Sequence, residues 1–277
     1  GVVSDLLTSE KSNEAAANFI KSKIRQKVTD PDKAEILSDI DHPYAAKRPP
    51  IDTNYFETFN RENVSLVNLK ADPIKEIIPG GISLKSGDVR DLDVIIFATG
   101  FDAMTGPLLS LDIEGSCLSL KEYWAEGPRN YLGLAIPGFP NLFTITGPGS
   151  PSVLSNMPVS IEQHVDWITD CIKYCVSGGY TRIEAEEHAA QNWTEHVRAT
   201  AEATLLAKVK HSWYLGANIP GKPRVFTPYA GGLVTYRKIC NSIVRDGYKG
   251  FLLDQKTTQG PKMTFDFEAP NVTNLGV

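Results

Sequence analysis

Two basic residues followed by two prolines, Lys47-Arg48-Pro49-Pro50, are the first candidates for a chemical role. A residue that precedes proline is kept out of the helical region, so the backbone presents Arg48 in an extended conformation. A guanidinium held on a stiff backbone could stabilise a developing oxyanion, and an ammonium beside it could bind a phosphate. The alternative is a solvated basic pair in a surface loop, and composition alone favours that alternative.

A second candidate is the turn from Thr146 to Met157, which leads into a helix predicted to begin near Pro158. A helix start leaves backbone N–H groups unpaired, and the helix dipole adds partial positive charge. The turn beginning at Gly147 therefore suits an anion, or a ring that gains negative charge as a reduced flavin does. The alternative is a plain strand-to-helix connection. The two Gly, three Pro and three Ser among residues 147–158 favour the site.

The third candidate is a loop rich in glycine and proline, from His211 to Arg224, which contains Trp213 and Tyr214. The two aromatic side chains could form a lid that stacks on a ligand. They could equally anchor the loop to the core, and the sequence leaves both interpretations open.

A continuous apolar run, Val94 to Phe97, predicts a strand buried on both faces of a parallel sheet. It ends in small residues up to Gly100, at the carboxyl edge where open α/β sheets bind nucleotides. Ala-Thr-Gly in this setting resembles the crossover between the two dinucleotide domains of flavoprotein oxidoreductases. Further strands are predicted at 64–69 and 142–146, and a hairpin is predicted to turn at Gly80-Gly81.

Helices must position these segments, and apolar periodicity predicts four of them, at residues 13–29, from Pro158 to Gly178-Gly179, at 184–206 and at 234–246. The stripe expected to face the core is Phe19, Ile20, Ile24 and Val28 in the first helix. In the second helix it is Ile161, Val165, Ile168 and Ile172.

Composition describes an ordinary globular protein of 277 residues, 42% hydrophobic and 22% charged, with a formal net charge of −5. This balance gives no support to nucleic-acid binding, and no apolar stretch approaches the roughly 20 residues of a membrane span. The amino end does not have the layout of a signal peptide. We expect a cytoplasmic protein.

The four cysteines are widely spread and form no Cys-x-x-Cys, which favours a reducing compartment. Cys171 and Cys175 lie one helical turn apart. Two buried small residues are expected there rather than a metal or redox pair, and no metal site is predicted.

These pieces, in this order, resemble the carboxyl-terminal half of flavin-dependent Baeyer–Villiger monooxygenases, in the branch of phenylacetone, cyclohexanone and steroid monooxygenases. The resemblance runs from about residue 19 to 254. It is carried by the segments AKRPPIDTNYFETFNRENVSLV, DLDVIIFATGFDA, GFPNLFTITGPGSPSVLSNMPVSIEQHVDWI, SWYLGANIPGKPRVF and YAGGLVTYRKICNSIVRDGYKGF.

The resemblance implies an α/β fold with two Rossmann-like nucleotide-binding domains of the flavoprotein type and a helical insertion. This chain would supply the second portions of those domains. Residues 1–46 would end the insertion, 47–100 would belong to the NADP-binding domain and 101–254 to the FAD-binding domain, with 255–277 as a carboxyl-terminal tail.

The resemblance also implies roles for individual residues. Arg48 matches the active-site arginine, and Lys47 matches a residue that contacts the 2′-phosphate of NADPH. Trp213 matches a mobile-loop tryptophan that reaches the nicotinamide cofactor, and Met157 matches the segment beside the flavin ring. A loop that lines the ketone pocket is matched by Ser152, Val153 and Leu154. The glycines expected beside the cofactors are Gly147 and Gly100.

The implied reaction converts a ketone and O2 to an ester or lactone through an anionic flavin peroxide, with FAD and NADPH as cofactors. A fixed guanidinium favours the anionic form, and a closing loop keeps water away. The sequence departs from the family because it contains neither glycine fingerprint and no F-x-G-x-x-x-H-x-x-x-W signature. We therefore expect an amino-terminal half, bearing the FAD and NADP motifs, as its partner. The alternatives are an N- or S-oxidising flavin monooxygenase and a non-catalytic fragment.

Overall fold

The computed structural model of the chain describes residues 3, 5–209 and 211–254, so the predicted tail at 255–277 lies outside the described residues. Eight α-helices in this part of the chain are α1 (Glu10–Lys27), α2 (Pro31–Ser38), α3 (Tyr55–Thr58), α4 (Gly106–Leu109), α5 (Leu120–Tyr123), α6 (Met157–Gly178), α7 (Glu187–Glu202) and α8 (Leu233–Arg245). Its five strands are β1 (Ile74–Ile78), β2 (Gly81–Leu84), β3 (Val89–Asp91), β4 (Arg182–Ala185) and β5 (Phe251–Asp254). None of these helices is long and apolar enough to cross a bilayer.

The first two helices form a small hairpin of their own. The Ser9 side chain accepts from the Ser12 amide at the start of α1, and Asp30 caps α2 ahead of Pro31. The helix predicted at 13–29 is confirmed with slightly earlier ends, and Ile24 and Val28 are buried against α2. Phe19 is 59% exposed, so its predicted place in the core stripe is wrong.

The hairpin predicted at Gly80-Gly81 is confirmed. Strands β1 and β2 pair antiparallel with Ile78 opposite Gly81, and β3 pairs with the other edge of β2. Gly80 has a φ of +87°, a conformation that glycine adopts without steric cost.

Three strands predicted from apolar runs are not formed. Residues 64–69 and 94–97 pair with no strand in the described chain, and 142–146 contributes one isolated bridge, between Ala135 and Phe143. The run at 94–97 is also exposed, with Ile96 at 86% and Phe97 at 70%. A parallel strand takes its hydrogen bonds from neighbours far away in sequence, and the described residues supply none for the run at 94–97.

The largest core lies between α6, α7, α8 and the antiparallel pair of β4 and β5. Aromatic rings dominate its centre, and Trp167 of α6 packs against Tyr248 and Phe251 with ring centroids 5.3 and 5.7 Å apart. Tyr236 of α8 is fully buried and donates its hydroxyl to the Leu132 carbonyl at 2.7 Å.

The core-facing stripe predicted for α6 is wrong by one position. Its buried residues are Ser160, His164, Trp167, Cys171 and Cys175. Three of the four predicted residues, Ile161, Val165 and Ile172, are exposed, and Ile168 is half-buried at the edge of the core. The helix is apolar on two adjacent faces, so periodicity alone could not decide which one the core would cover. The two cysteines are buried as predicted, and Gly179 ends the helix with a φ of +69°.

Candidate functional site

The turn between Thr146 and α6 is tied down by backbone contacts. The Thr146 amide donates to Nδ1 of His164 at 2.9 Å. The Gly149 amide donates to the Thr227 carbonyl at 2.6 Å, and the Gly149 carbonyl accepts from the Trp193 indole N–H at 3.0 Å. The turn is therefore held from α6, from α7 and from the strand-like segment near Thr227.

Gly147 and Gly133 make the closest approach in this region. A Cβ built on Gly147 would lie 2.7 Å from the Gly133 carbonyl oxygen, and one built on Gly133 would lie 2.7 Å from the Ser150 amide nitrogen. The backbones of the two segments touch, and only glycine permits this packing.

This packing predicts unequal effects for two glycine substitutions with the same backbone strain. Gly133 and Gly179 have φ values of +73° and +69°, but a Cβ on Gly179 would meet nothing within 4 Å. We expect Gly179→Ala to lower the free energy of unfolding by about 1 kcal/mol, and Gly133→Ala by about 3 kcal/mol because it adds a backbone clash. Urea unfolding of the two variants measures the difference, and equal losses would show that the segments are not in contact.

The start of α6 is uncapped. Ser152 is buried with a φ of +36° in a 3-10 turn, Ser152–Leu154, that precedes the helix. The Asn156 side chain makes no capping hydrogen bond, and within the described residues the amides of Met157 and Val159 have no partner. The free N–H groups predicted in this region therefore lie at the helix start, since those of Thr146 and Gly149 are already used.

Three of the predicted site residues, Val153, Leu154 and Trp213, lie in one apolar cluster, which we call the site cluster. Its buried members are Ala46, Ala201, Leu206, Val209, Tyr214 and Phe226, and its half-buried members include Val153, Leu154 and Trp213. Three segments that are far apart in sequence thus meet.

Lys47 and Arg48 directly follow the fully buried Ala46, so the basic pair lies next in sequence to a buried member of the site cluster. Arg48 is exposed, and its positive charge acts on the Tyr214 phenol, opposing the burial that raises the pKa of that group. Gly100 is also exposed, with a φ of +87°, on the segment after the unpaired apolar run.

The two interpretations of the 211–224 loop apply to different residues. Tyr214 is buried, and its carbonyl accepts from the Thr227 amide at 2.9 Å and from the Thr227 hydroxyl at 3.1 Å. Trp213 is half-buried and packs edge-on against Tyr214, with ring centroids 4.5 Å apart. Tyr214 anchors the loop, and Trp213 keeps exposed side-chain surface that a ligand could contact.

Three contacts missed by sequence reasoning fasten this loop to residues 101–103. The Lys222 ammonium pairs with the Asp102 carboxylate and donates to the Ala103 carbonyl at 3.3 Å. The Asn218 amide donates to the Phe101 carbonyl at 3.0 Å. Charged residues in a loop rarely signal a partner 120 positions away, so no pattern in the sequence indicates these contacts.

We expect Lys222→Met and Asp102→Asn both to loosen the loop, Lys222→Met by more because it also loses the bond to the Ala103 carbonyl. Lys222 is only 14% exposed, so losing either partner removes an ion pair that water screens incompletely. Hydrogen exchange of the amides at 212–219 should speed up about fivefold in Asp102→Asn, equivalent to ~1 kcal/mol, more in Lys222→Met, and no further in the double variant than in Lys222→Met. Additive acceleration in the double variant would contradict the pairing.

No group of three or more His, Cys, Asp or Glu side chains in the described part of the chain could hold a metal ion. The arrangement instead offers an apolar cluster with a half-buried aromatic side chain, followed in the chain by two cations, and free amides at the start of α6. This combination suits an anionic or phosphate-bearing organic ligand together with an apolar substrate.

Comparison with known proteins finds extensive similarity, although no family model matches the chain. The chain is 44% identical over 248 residues to cyclohexanone 1,2-monooxygenase of Acinetobacter sp, which covers 89% of this chain and 45% of that protein. It is 42% identical over 256 residues to a Baeyer–Villiger monooxygenase of Pseudooceanicola batsensis, covering 92% of this chain and 46% of the relative.

Among solved structures, a complex of OTEMO with FAD and NADP superposes with a TM-score of 0.86 at 42% identity. It covers 91% of this chain and 46% of that one. The α/β fold of the flavoproteins with Rossmann-type domains is thus confirmed, although the described residues form only part of its sheets. The chain spans about half the length of the relatives it matches, and by sequence and by fold it belongs to the flavin-dependent Baeyer–Villiger monooxygenases.

Proposed function

We propose that the complete protein containing this sequence uses FAD, NADPH and O2 to convert a ketone to an ester or lactone. The observation that carries the proposal is the site cluster, because it brings Ala46, the residue before the basic pair, together with the 152–154 turn and the Trp213 loop. The relatives named above support the reaction class.

The residues present fit a flavin. The uncapped start of α6 offers the Met157 and Val159 amides to a group that gains negative charge, and Gly147 lets the preceding turn pack against Gly133. Bound FAD, reduced by NADPH, would supply the activation of dioxygen. For NADP, Lys47 would bind the 2′-phosphate, Trp213 would cover the nicotinamide and Gly100 would allow close approach of the chain.

In this reaction Arg48 would stabilise negative charge on the reacting oxygens, since its guanidinium stays ionised and offers two parallel N–H donors. The segment of the buried Ser152 and the half-buried Val153 and Leu154 would line the apolar side of the ketone pocket. The loop fastened by Lys222 would keep water out, which limits wasteful consumption of NADPH.

We further infer that an amino-terminal half carrying the glycine-rich FAD and NADP motifs completes the protein. The unpaired, exposed run at 94–97 supports this, because such a run needs strands on both sides. All four cysteines are free thiols, which supports a reducing, cytoplasmic location.

The test is product analysis of the complete enzyme with NADPH and two substrates, a cyclic ketone and a thioether. The proposal expects a lactone, formed in proportion to NADPH consumed. Sulfoxide formation without lactone would instead favour an S-oxidising enzyme, and the absence of bound flavin would favour a non-catalytic protein.

A further inference from the structure

A buried histidine lies beneath the turn that leads into α6. His164 has no exposed surface, and its ring contacts Tyr236 of α8 edge-on with centroids 5.5 Å apart. A polar ring buried among aromatic side chains costs free energy unless its nitrogens are satisfied. The core at this position could have held a phenylalanine or leucine, so the imidazole calls for an explanation.

The hydrogen bond to Thr146 fixes the protonation state of this ring. The Thr146 amide can only donate, so Nδ1 of His164 must be an acceptor and carries no proton. The neutral ring therefore has its proton on Nε2, which is buried without a partner in the described residues.

Thr146 needs this support because of its backbone conformation. Its φ is +54°, in the left-handed region that β-branched residues avoid. Two backbone hydrogen bonds flank Thr146. On one side the Thr144 amide donates to the Leu134 carbonyl, and on the other the Gly149 amide donates to the Thr227 carbonyl. Among the residues that the structure describes, His164 is the only side chain of another element that bonds to the backbone between these two hydrogen bonds.

We propose that His164 is a positioning residue for the cofactor: its neutral ring holds the Thr146 amide and so sets where Gly147 and the start of α6 meet the flavin. This inference rests on the proposed function, in which that turn contacts FAD. His164 itself touches no reacting group and acts through Thr146.

The contact has a definite pH dependence. Burial lowers the pKa of His164 to about 4, from 6.5 for a free ring. The titratable group in contact with the ring is Tyr236 of α8, and burial raises its pKa, so it stays neutral in this range. The unfolded chain takes up a proton near pH 6.5 and the folded chain does not, so stability is full above pH 6.5 and falls as the pH drops towards 4.

The experiment compares His164→Asn, His164→Gln and His164→Leu in the complete enzyme. An asparagine can place its carbonyl oxygen near the position of Nδ1, whereas glutamine is one methylene too long and leucine has no acceptor. We expect the asparagine variant to keep the flavin absorption bands and FAD affinity of the unaltered enzyme. The other two should shift the bands and bind FAD at least tenfold more weakly.

A second measurement tests the hydrogen bond between His164 and Thr146 without requiring catalytic activity. The unfolding equilibrium constant should rise between pH 7 and pH 4. We expect this rise to be on the order of 100 times larger in the unaltered enzyme than in His164→Asn, because the variant has no titrating ring at this position. If the leucine variant does not fold, the comparison of the asparagine variant with the glutamine variant still tests the inference.

Identical flavin spectra and affinities in all three variants would overturn the inference, as would equal damage by asparagine and leucine. An unaltered enzyme that binds no flavin at all would instead overturn the proposed function. The two failures are therefore distinguishable.

Discussion

Replacing Arg48 by alanine in the complete enzyme should abolish most ester formation while NADPH continues to be oxidised. Arg48 follows Ala46, a buried member of the cluster that also contains Val153 and Leu154. Removing a donor that stabilises developing negative charge typically costs 10²- to 10³-fold in turnover, so we expect a loss of about that size. Product chromatography with parallel measurement of NADPH consumption separates the two activities.

Two further variants make this result specific. Arg61→Ala removes another exposed arginine, outside the site cluster, and should leave ester formation unchanged. Arg48→Lys keeps the charge but not the paired donors, so we expect it to recover only a small part of the lost activity. Ester formation by Arg48→Ala within a few-fold of the unaltered enzyme would place Arg48 outside the reaction centre.

Replacing Ile96 by aspartate should have opposite outcomes in the isolated chain and in the complete enzyme. In this chain the side chain is 86% exposed, so the substitution should change the free energy of unfolding by no more than about 0.5 kcal/mol. In the complete enzyme the same residue would lie in an interior strand, where an unpaired carboxylate costs about 3–5 kcal/mol. The melting temperature measures the effect in both forms, and the flavin content of the complete enzyme gives a second readout.

The control at the same position is Ile96→Val, which keeps an apolar β-branched side chain and should cost less than about 1.5 kcal/mol in either form. If Ile96→Asp is tolerated equally well in the complete enzyme, the run at 94–97 is a surface segment. The inferred amino-terminal half would then have to dock elsewhere.

Local rules determined a good part of this fold. The hairpin at Gly80-Gly81 and the end of α6 at Gly179 each depend on a few neighbouring residues, and both were predicted. The basic pair, the 152–154 turn and the Trp213 loop were also identified from residue types. What the sequence did not show is that the residue before the basic pair, Ala46, shares one cluster with the turn and the loop.

Where long-range packing chooses between equivalent local options, only the tertiary structure could decide. In α6 two apolar faces compete, and the core formed with α8 covers His164 and Trp167 rather than Ile161 and Val165. The apolar run at 94–97 has the composition of a buried strand, yet a strand exists only when neighbours supply its hydrogen bonds. The Lys222–Asp102 pair and the contact between His164 and Thr146 join residues that no sequence period relates, so they became visible only once the chain was folded.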